Sequence, residues 1–164
     1  MKKNPAVKSM ASLMLYLLLL IVLWYAIGMV AFPKPSREER LKAYVGKHQN
    51  LLIQVAENAM DEDQWTGIRN TVEVMELLKE ENISDVLPYE QGAAFMIAPA
   101  KSSIQVQARI LYLPDGQYAM NVAGDWHSAE VEKDGALRWE DGAGGYVRAL
   151  RLADGFYLED ICLS

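Results

Sequence analysis

Residues 104–112 read IQVQARILY, and this stretch decides the fold. Ile104, Val106, Ala108, Ile110 and Tyr112 alternate with Gln105, Gln107 and Arg109. A period of two puts the apolar set on one face of a strand, as in a sheet covered on one side. Pro114-Asp115-Gly116 then breaks the run with a turn, and a further strand is expected over 118–122.

Downstream, Asp-Gly pairs recur at Asp134-Gly135, Asp141-Gly142 and Asp154-Gly155. Such pairs suit the positive φ angles of tight hairpins. The segments between them, 129–132, 136–139, 146–152 and 156–163, read as short strands. Upstream, 83–87 and 93–98 are short apolar runs stopped by Pro88 and Pro99. Strands punctuated by turns describe an antiparallel meander.

Before the strands the period changes to that of a helix. Leu41, Tyr44, Val45, His48, Leu51, Leu52, Val55 and Ala59 recur at three- and four-residue spacing. Ser36 and Glu39 form a capping box in front of them. Lys42, Lys47, Gln49, Gln54 and Glu57 mark the polar face, and Gly46 is a weak point. Asp61 and Gln64 start a second helical run through Trp65, Ile68, Val72, Met75 and Leu78 to about Glu81; Gly67 and the β-branched Thr71, Val72 and Val74 weaken it, with an extended conformation over part of it as the alternative. The fold class is therefore α+β: one or two amphipathic helices packed on an antiparallel β-meander.

In front of the helices lies a different kind of segment. Residues 10–32, from Met10 to Phe32, carry no charge over 23 positions. A helix of that length crosses a hydrocarbon core of about 30 Å. It is too long for the apolar core of a cleaved signal peptide. The organisation reads as a tail (1–9), a transmembrane helix (10–32), a juxtamembrane linker and amphipathic helix (33–60), and the rest of the soluble domain (61–164). The lipid bilayer is the first expected partner. The lysines Lys2, Lys3 and Lys8 before the span favour an extracytoplasmic domain. Lys34, Arg37, Arg40, Lys42 and Lys47 beyond it argue for the cytoplasmic alternative.

After the span there are 22 acidic and 13 basic residues, a net charge of −9. From residue 50 onward the count is 20 to 8. Phosphate recognition needs the opposite sign, so nucleic acid is excluded as a partner.

Ala98-Pro99 followed by Ser102-Ser103, the turn Tyr112-Leu113-Pro114-Asp115, the strand Leu137-Arg138-Trp139-Glu140 and the closing Asp154-Gly155-Phe156-Tyr157-Leu158-Glu159 form a recognisable set. On these residues the chain resembles an uncharacterised family of small membrane-anchored proteins of Firmicutes. The resemblance implies an N-terminal anchor, a long helix and a compact C-terminal sheet, and it brings no activity and no catalytic residue. Phe156 stands where that family leads one to expect a Trp.

Catalytic motifs are few. His48 falls beside the apolar stripe of the first helix, and His127 stands in a loop with Asp125 and Ser128. Residues so close along one turn do not reproduce triad geometry, which draws its partners from separate elements. Gly142, Gly144 and Gly145 lie between strands rather than ahead of a helix, so they make a hairpin loop and not a phosphate cradle. Asp61-Glu62-Asp63 lacks the spacing of a calcium loop. Cys162 has no second cysteine to pair with. No metal, cofactor or catalytic residue is assigned.

The aromatic residues of the sheet half offer one candidate interaction patch: Trp126, His127, Trp139 and Tyr146. The leading expectation is thus a tethered, non-catalytic interaction domain that binds a protein or envelope component. Two alternatives differ in kind. One is a small-molecule or glycan sensor with a pocket between the first helix and the sheet. The other is a hydrolase built on two converging carboxylates.

Overall fold

The computed structural model describes residues 13–25, 34–89, 92–99, 106–122 and 125–162. The chain divides into two units, Met1–Ser36 and Arg37–Ser164. In the first, residues 13–25 form a helix, α1, with every side chain exposed. Its 13 residues extend about 20 Å. Among the described residues no helix is long and apolar enough to cross a membrane. The remainder of the 10–32 span lies outside the described residues.

The second unit is α+β, as the alternation at 104–112 and the helical period at 41–59 require. Helix α2 is Arg37–Ala59; of the expected stripe Leu41, Tyr44, Val45, Leu52, Val55 and Ala59 are buried, His48 and Leu51 are half-buried, and Ala56 is buried with them. The run expected as one second helix is two, α3 (Glu62–Arg69) and α4 (Val72–Glu80). Asp61 caps α3, accepting from the Gln64 backbone N–H at 3.2 Å and the Gln64 amide at 3.0 Å. The break has a local cause. The Thr71 hydroxyl and backbone N–H both donate to the Ile68 carbonyl, at 2.8 and 2.9 Å, closing α3 before α4 starts.

Among the described residues nine strands follow: β1 (Ile83–Tyr89), β2 (Gly92–Ile97), β3 (Gln107–Tyr112), β4 (Asn121–Val122), β5 (Asp125–Trp126), β6 (Glu130–Val131), β7 (Leu137–Glu140), β8 (Tyr146–Ala153) and β9 (Phe156–Cys162). Seven form one antiparallel sheet in the order β1-β2-β3-β9-β8-β7-β6. This is not a single meander. It is two meanders, β1–β3 and β6–β9, joined where β3 pairs with β9. Among the described residues β4 and β5 pair only with each other. The strand expected at 118–122 reduces to the two residues of β4, and the 104–112 strand starts at Gln107, with 104 and 105 outside the described residues.

Register explains the core. Val86, Phe95, Ile110, Leu158 and Leu150 face one another across five strands. All five are buried, and Val86, Phe95, Ile110 and Leu158 belong to the same cluster as the α2 stripe. The next row, Met96, Arg109, Glu159, Ala149 and Leu137, points to the opposite face. There Ala94, Leu111, Leu113 and Tyr157 form a second, smaller cluster. The sheet is therefore covered on both faces, by helices on one and by part of the β3–β6 connection on the other.

β1 runs through Pro88 to Tyr89, further than the expected stop. It is an edge strand, where Pro loses no ladder bond. The Val86 N–H is taken by the Asp85 side chain at 3.0 Å. Val86 and Pro88 share an orientation, so this edge offers two of its outward positions without a free donor. That blunts strand addition from another chain.

Charge pairs fix α2 in place. Arg148, on the helix side of the sheet, binds Glu38 at 2.8 Å, Glu132 at 2.6 Å, and Asp134. Arg37 reaches Asp160 at 2.9 Å. Arg40 donates to both oxygens of Glu81 at 3.0 Å, and Glu81 is buried. His48, expected at the edge of the apolar stripe, stacks on Tyr44 at 5.2 Å and meets Glu80 at 2.9 Å. Lys47 joins the same carboxylate at 3.1 Å.

Two predictions follow from α2. Leu52→Ala empties a fully enclosed site and lowers stability by about 2–5 kcal/mol in denaturant titration. Gly46→Ala acts in the opposite direction, since a Cβ there meets nothing within 4 Å; it raises stability by about 1 kcal/mol. A third concerns pH. The Glu80 carboxyl is held below its ordinary value, chiefly by the Lys47 ammonium. Asp134 is held below its own, chiefly by the Ala136 N–H. Depressed carboxyl values contribute stability above the unfolded-state pKa, and the contribution disappears as pH falls through the folded-state pKa. The denaturation midpoint falls as pH drops below about 4, and Glu80→Gln flattens part of that slope.

Candidate functional site

The aromatic patch read from the sequence is divided by strand parity. In the β7–β8 ladder Trp139 faces Val147 and Glu140 faces Tyr146. Trp139 lies with Val147 and Leu137 on the face opposite the helices. There the His127 ring packs on it at 4.6 Å with a tilt of 34°, and the His127 N–H donates to the Met120 carbonyl at 3.0 Å. Tyr146, one residue from Val147, points to the other face, where the Arg138 guanidinium lies 4.6 Å from its ring. The Trp126 backbone pairs with Asn121, which places it one residue before His127; its side chain lies outside the described residues. The structure thus brings His127 and Trp139 together and sets Tyr146 apart.

A second constellation was not singled out in the sequence. Glu159 is 1% exposed in the middle of the sheet. Arg109, its neighbour on β3, donates to one carboxylate oxygen. The Tyr118 hydroxyl donates to the other at 2.6 Å. The Arg109 guanidinium lies 4.6 Å from the Tyr89 ring centroid, and Tyr118 packs on Tyr157 at 5.2 Å. The Tyr157 hydroxyl in turn donates to the Gly116 carbonyl at 2.8 Å.

The effect is to fasten the connection after β3 across the sheet. Burial, and then the negative charge of Glu159, push the Tyr118 hydroxyl far above its ordinary value. It stays protonated and serves as a hydrogen-bond donor. The sequence did carry a signal for this site. Leu111 shares the face of Arg109, and Tyr157 shares that of Glu159. Apolar residues at polar-face positions mark a face that is covered rather than solvated.

Glu80 and Asp134 are shifted toward the charged form, opposite to the raised value of a general acid. Among the described residues no group of three or more His, Cys, Asp or Glu side chains is placed to hold a metal ion. The interface between α2 and the sheet, where a sensor pocket was expected, is filled by Val45, Leu52, Val55, Phe95, Ile110 and Leu158. Open space lies at its margins. One groove of about 440 Å³ runs between α4 and β1, past Met75, Leu78 and Ile83. Another, of about 490 Å³, lies beside Tyr112, Asp115 and Asp154.

The network around Glu159 can be tested by truncating its partners separately. Arg109→Leu leaves a carboxylate buried without its counter-charge and costs about 3–5 kcal/mol. Tyr118→Phe removes one hydrogen bond to a charged group and costs about 1.5–3 kcal/mol. Denaturant titration gives both values, and a larger loss for Tyr118→Phe than for Arg109→Leu contradicts this account. Comparison with protein-family models, with curated proteins and with solved structures finds no match to this chain.

Proposed function

We propose that this chain is a single-pass membrane protein, anchored through residues 10–32, whose 37–164 unit is a non-catalytic interaction module on the extracytoplasmic side. One observation carries the anchor. From Leu13 to Tyr25 every residue is apolar or aromatic, the stretch is helical, and every side chain is exposed. An α-helix that is apolar all round requires an apolar surrounding. Burial of a large aliphatic side chain is worth about 1.5–3 kcal/mol, and lipid supplies that burial for the whole stretch.

The juxtamembrane charges bear on how the module meets the bilayer. Arg37, Arg40 and Lys47 are paired with Asp160, Glu81 and Glu80. The folded unit therefore uses much of its basic run internally. A cluster of free lysines and arginines is what draws anionic headgroups, so attachment rests on the helix rather than on surface charge. The family resemblance of the sequence belongs to this proposal as well, because an anchor, a long helix and a sheet is the layout it implies.

Support for interaction over catalysis comes from where the charged groups go. Arg109, Glu159, Arg148, Glu132, Glu38, Arg40 and Glu81 are engaged with one another, as expected of groups that hold a surface in shape. The half-exposed His127–Trp139 stack is the contact point proposed for a protein or envelope partner.

A single labelled protein tests both halves. Cys162→Ser combined with Ala143→Cys puts the sole thiol on an exposed turn between β7 and β8. The protein stays with membranes through alkaline carbonate, and a membrane-impermeant maleimide labels it in intact cells. Carbonate extraction ends the anchor reading, and labelling only after permeabilisation moves the module to the cytoplasmic side. Crosslinked partners captured by the wild type are lost on His127→Ala with Trp139→Ala; their full retention removes the patch from the proposal.

A further inference from the structure

We infer that the outer edge of β6 is a docking site for an extended segment of a partner protein, added to the sheet as a further strand in which aliphatic residues alternate with basic ones. The inference rests on the reading of the 37–164 unit as an interaction module and names the form of its partner; it does not depend on the membrane anchor.

The seven-stranded sheet ends in β1 on one side and β6 on the other, and the two edges differ. On β1 the Val86 N–H is taken by the Asp85 side chain, and Pro88 has no N–H to offer. Among the described residues, Val131 on β6 has neither device. The Glu132 N–H donates to the Ala136 carbonyl at 2.7 Å, so the backbone of Glu132 turns toward the β7 side of the hairpin. Alternation then turns the N–H and carbonyl of Val131 outward. Among the described residues β6 pairs with β7 alone. An outward N–H and carbonyl on one residue are the groups that an incoming strand takes up.

The side chains at this edge define what the strand carries. Val131 lies opposite Leu137 and so shares its face, the one that holds Trp139. Val131 is 72% exposed, an aliphatic residue where a protected edge places a charge. Ala129, two residues earlier, falls on the same face and packs in the same cluster as Leu137 and Trp139. Together with the His127 ring on Trp139 they make one apolar strip that reaches the edge, continuous with the contact point proposed above. An apolar strip joined to an open strand edge is matched by an apolar residue opposite Val131.

The next position falls on the other face. Glu130 lies opposite Arg138, but that guanidinium is engaged by Glu140 at 2.6 Å and Glu132 at 3.6 Å. Glu130 is exposed and enters no ion pair among the described residues. An added strand with an apolar residue opposite Val131 sets the neighbouring residues opposite Glu130 and Glu132, where basic side chains are attracted and acidic ones repelled. The same charges disfavour a second copy of this chain. Two β6 strands paired antiparallel about Val131 would set Glu130 of each against Glu132 of the other, like charge against like.

Full-length protein in a neutral detergent, at about 0.15 M salt to screen distant charges, is titrated by calorimetry with three blocked peptides. They are acetyl-Lys-Val-Lys-Val-Lys-Val-Lys-amide, its isomer acetyl-Val-Val-Val-Lys-Lys-Lys-Lys-amide, and the alternating peptide with Glu in place of Lys. Saturable binding of the alternating basic peptide alone is expected, together with slowed exchange of the Val131 amide proton. Val131→Pro removes the outward N–H without breaking a ladder bond to β7 and weakens binding about tenfold. Glu130→Lys weakens it about threefold, while Glu76→Lys, the same change of charge on α4, leaves it unchanged. Absence of saturable binding, equal binding of the isomer, or an unslowed Val131 amide overturns the proposal. So does a concentration-dependent dimer that Val131→Pro abolishes, which gives the edge to a second copy. The two readings fail separately. Crosslinked partners lost on His127→Ala with Trp139→Ala but retained on Val131→Pro leave the interaction module standing and remove the edge.

Discussion

The pairing of β3 with β9 is the constraint on which the rest of this domain depends. Each of the two meanders can close locally, because its strands are neighbours in sequence and its turns are short. Only the ladder from Gln107↔Ile161 to Tyr112↔Phe156 joins them into one sheet. It also brings together residues about fifty positions apart, and so carries the main entropic cost of the topology. Its register is set from both faces at once. Ile110 and Leu158 face each other under α2, while Arg109 and Glu159 face each other on the far side. A slip of one residue would drive the charged pair into the helix-side core and expose two aliphatic residues. The buried ion pair therefore specifies register, a use better supported for such pairs than net stabilisation.

That far face explains why the chain needs a long connection between β3 and β6. A sheet with helices on one side can leave the other side wet, provided its residues are polar. Here the second face holds Ala94, Leu111, Val147 and Tyr157, all buried, and a row of that kind requires a cover. The connection supplies it, with Tyr118 and Met120 turned inward and two tyrosine hydroxyls as fasteners. The β4–β5 ladder remains a short local pairing within this cover. The residues that secure it are the ones most easily read as catalytic in isolation: a buried Glu, an Arg and a Tyr. Their geometry satisfies each in turn.

How much of this was legible in the sequence follows from the range of the interaction. The long helix was legible, because seven buried positions of α2 recur at helical spacing. Hairpins were legible where Asp-Gly demanded them, and Gly135 and Gly155 take the positive φ that the dipeptide favours. The break between α3 and α4 was not read from the sequence, where Gly67, Thr71, Val72 and Val74 only weakened a single run; Gly67 lies inside α3, and the back-bond from Thr71 to Ile68 fixes the break. Strand order was illegible, since alternation states which residues share a face and nothing about which strand lies alongside. The aromatic patch is divided for the same reason in miniature. Trp139 and Tyr146 are close in sequence and in space, yet the parity of a two-strand ladder sends them to opposite faces. The Tyr112 cleft gathers residues from α2, the turn after β3 and the β8–β9 hairpin, so no local pattern could announce it.

The acidic character of the domain gains a structural meaning from these placements. On the helix side, acids and bases near the start of α2 balance, with Arg37, Arg40, Lys47 and Arg148 each holding a carboxylate. The excess negative charge is therefore not spread evenly; it is left on carboxylates outside this junction, Glu57 and Asp115 among them. Neutralising α2 against its own sheet fixes how the start of that helix sits on the domain. The remaining acids repel an anionic surface. Such a surface also attracts soluble cations and basic segments over distances up to the Debye length, about 8 Å at physiological salt.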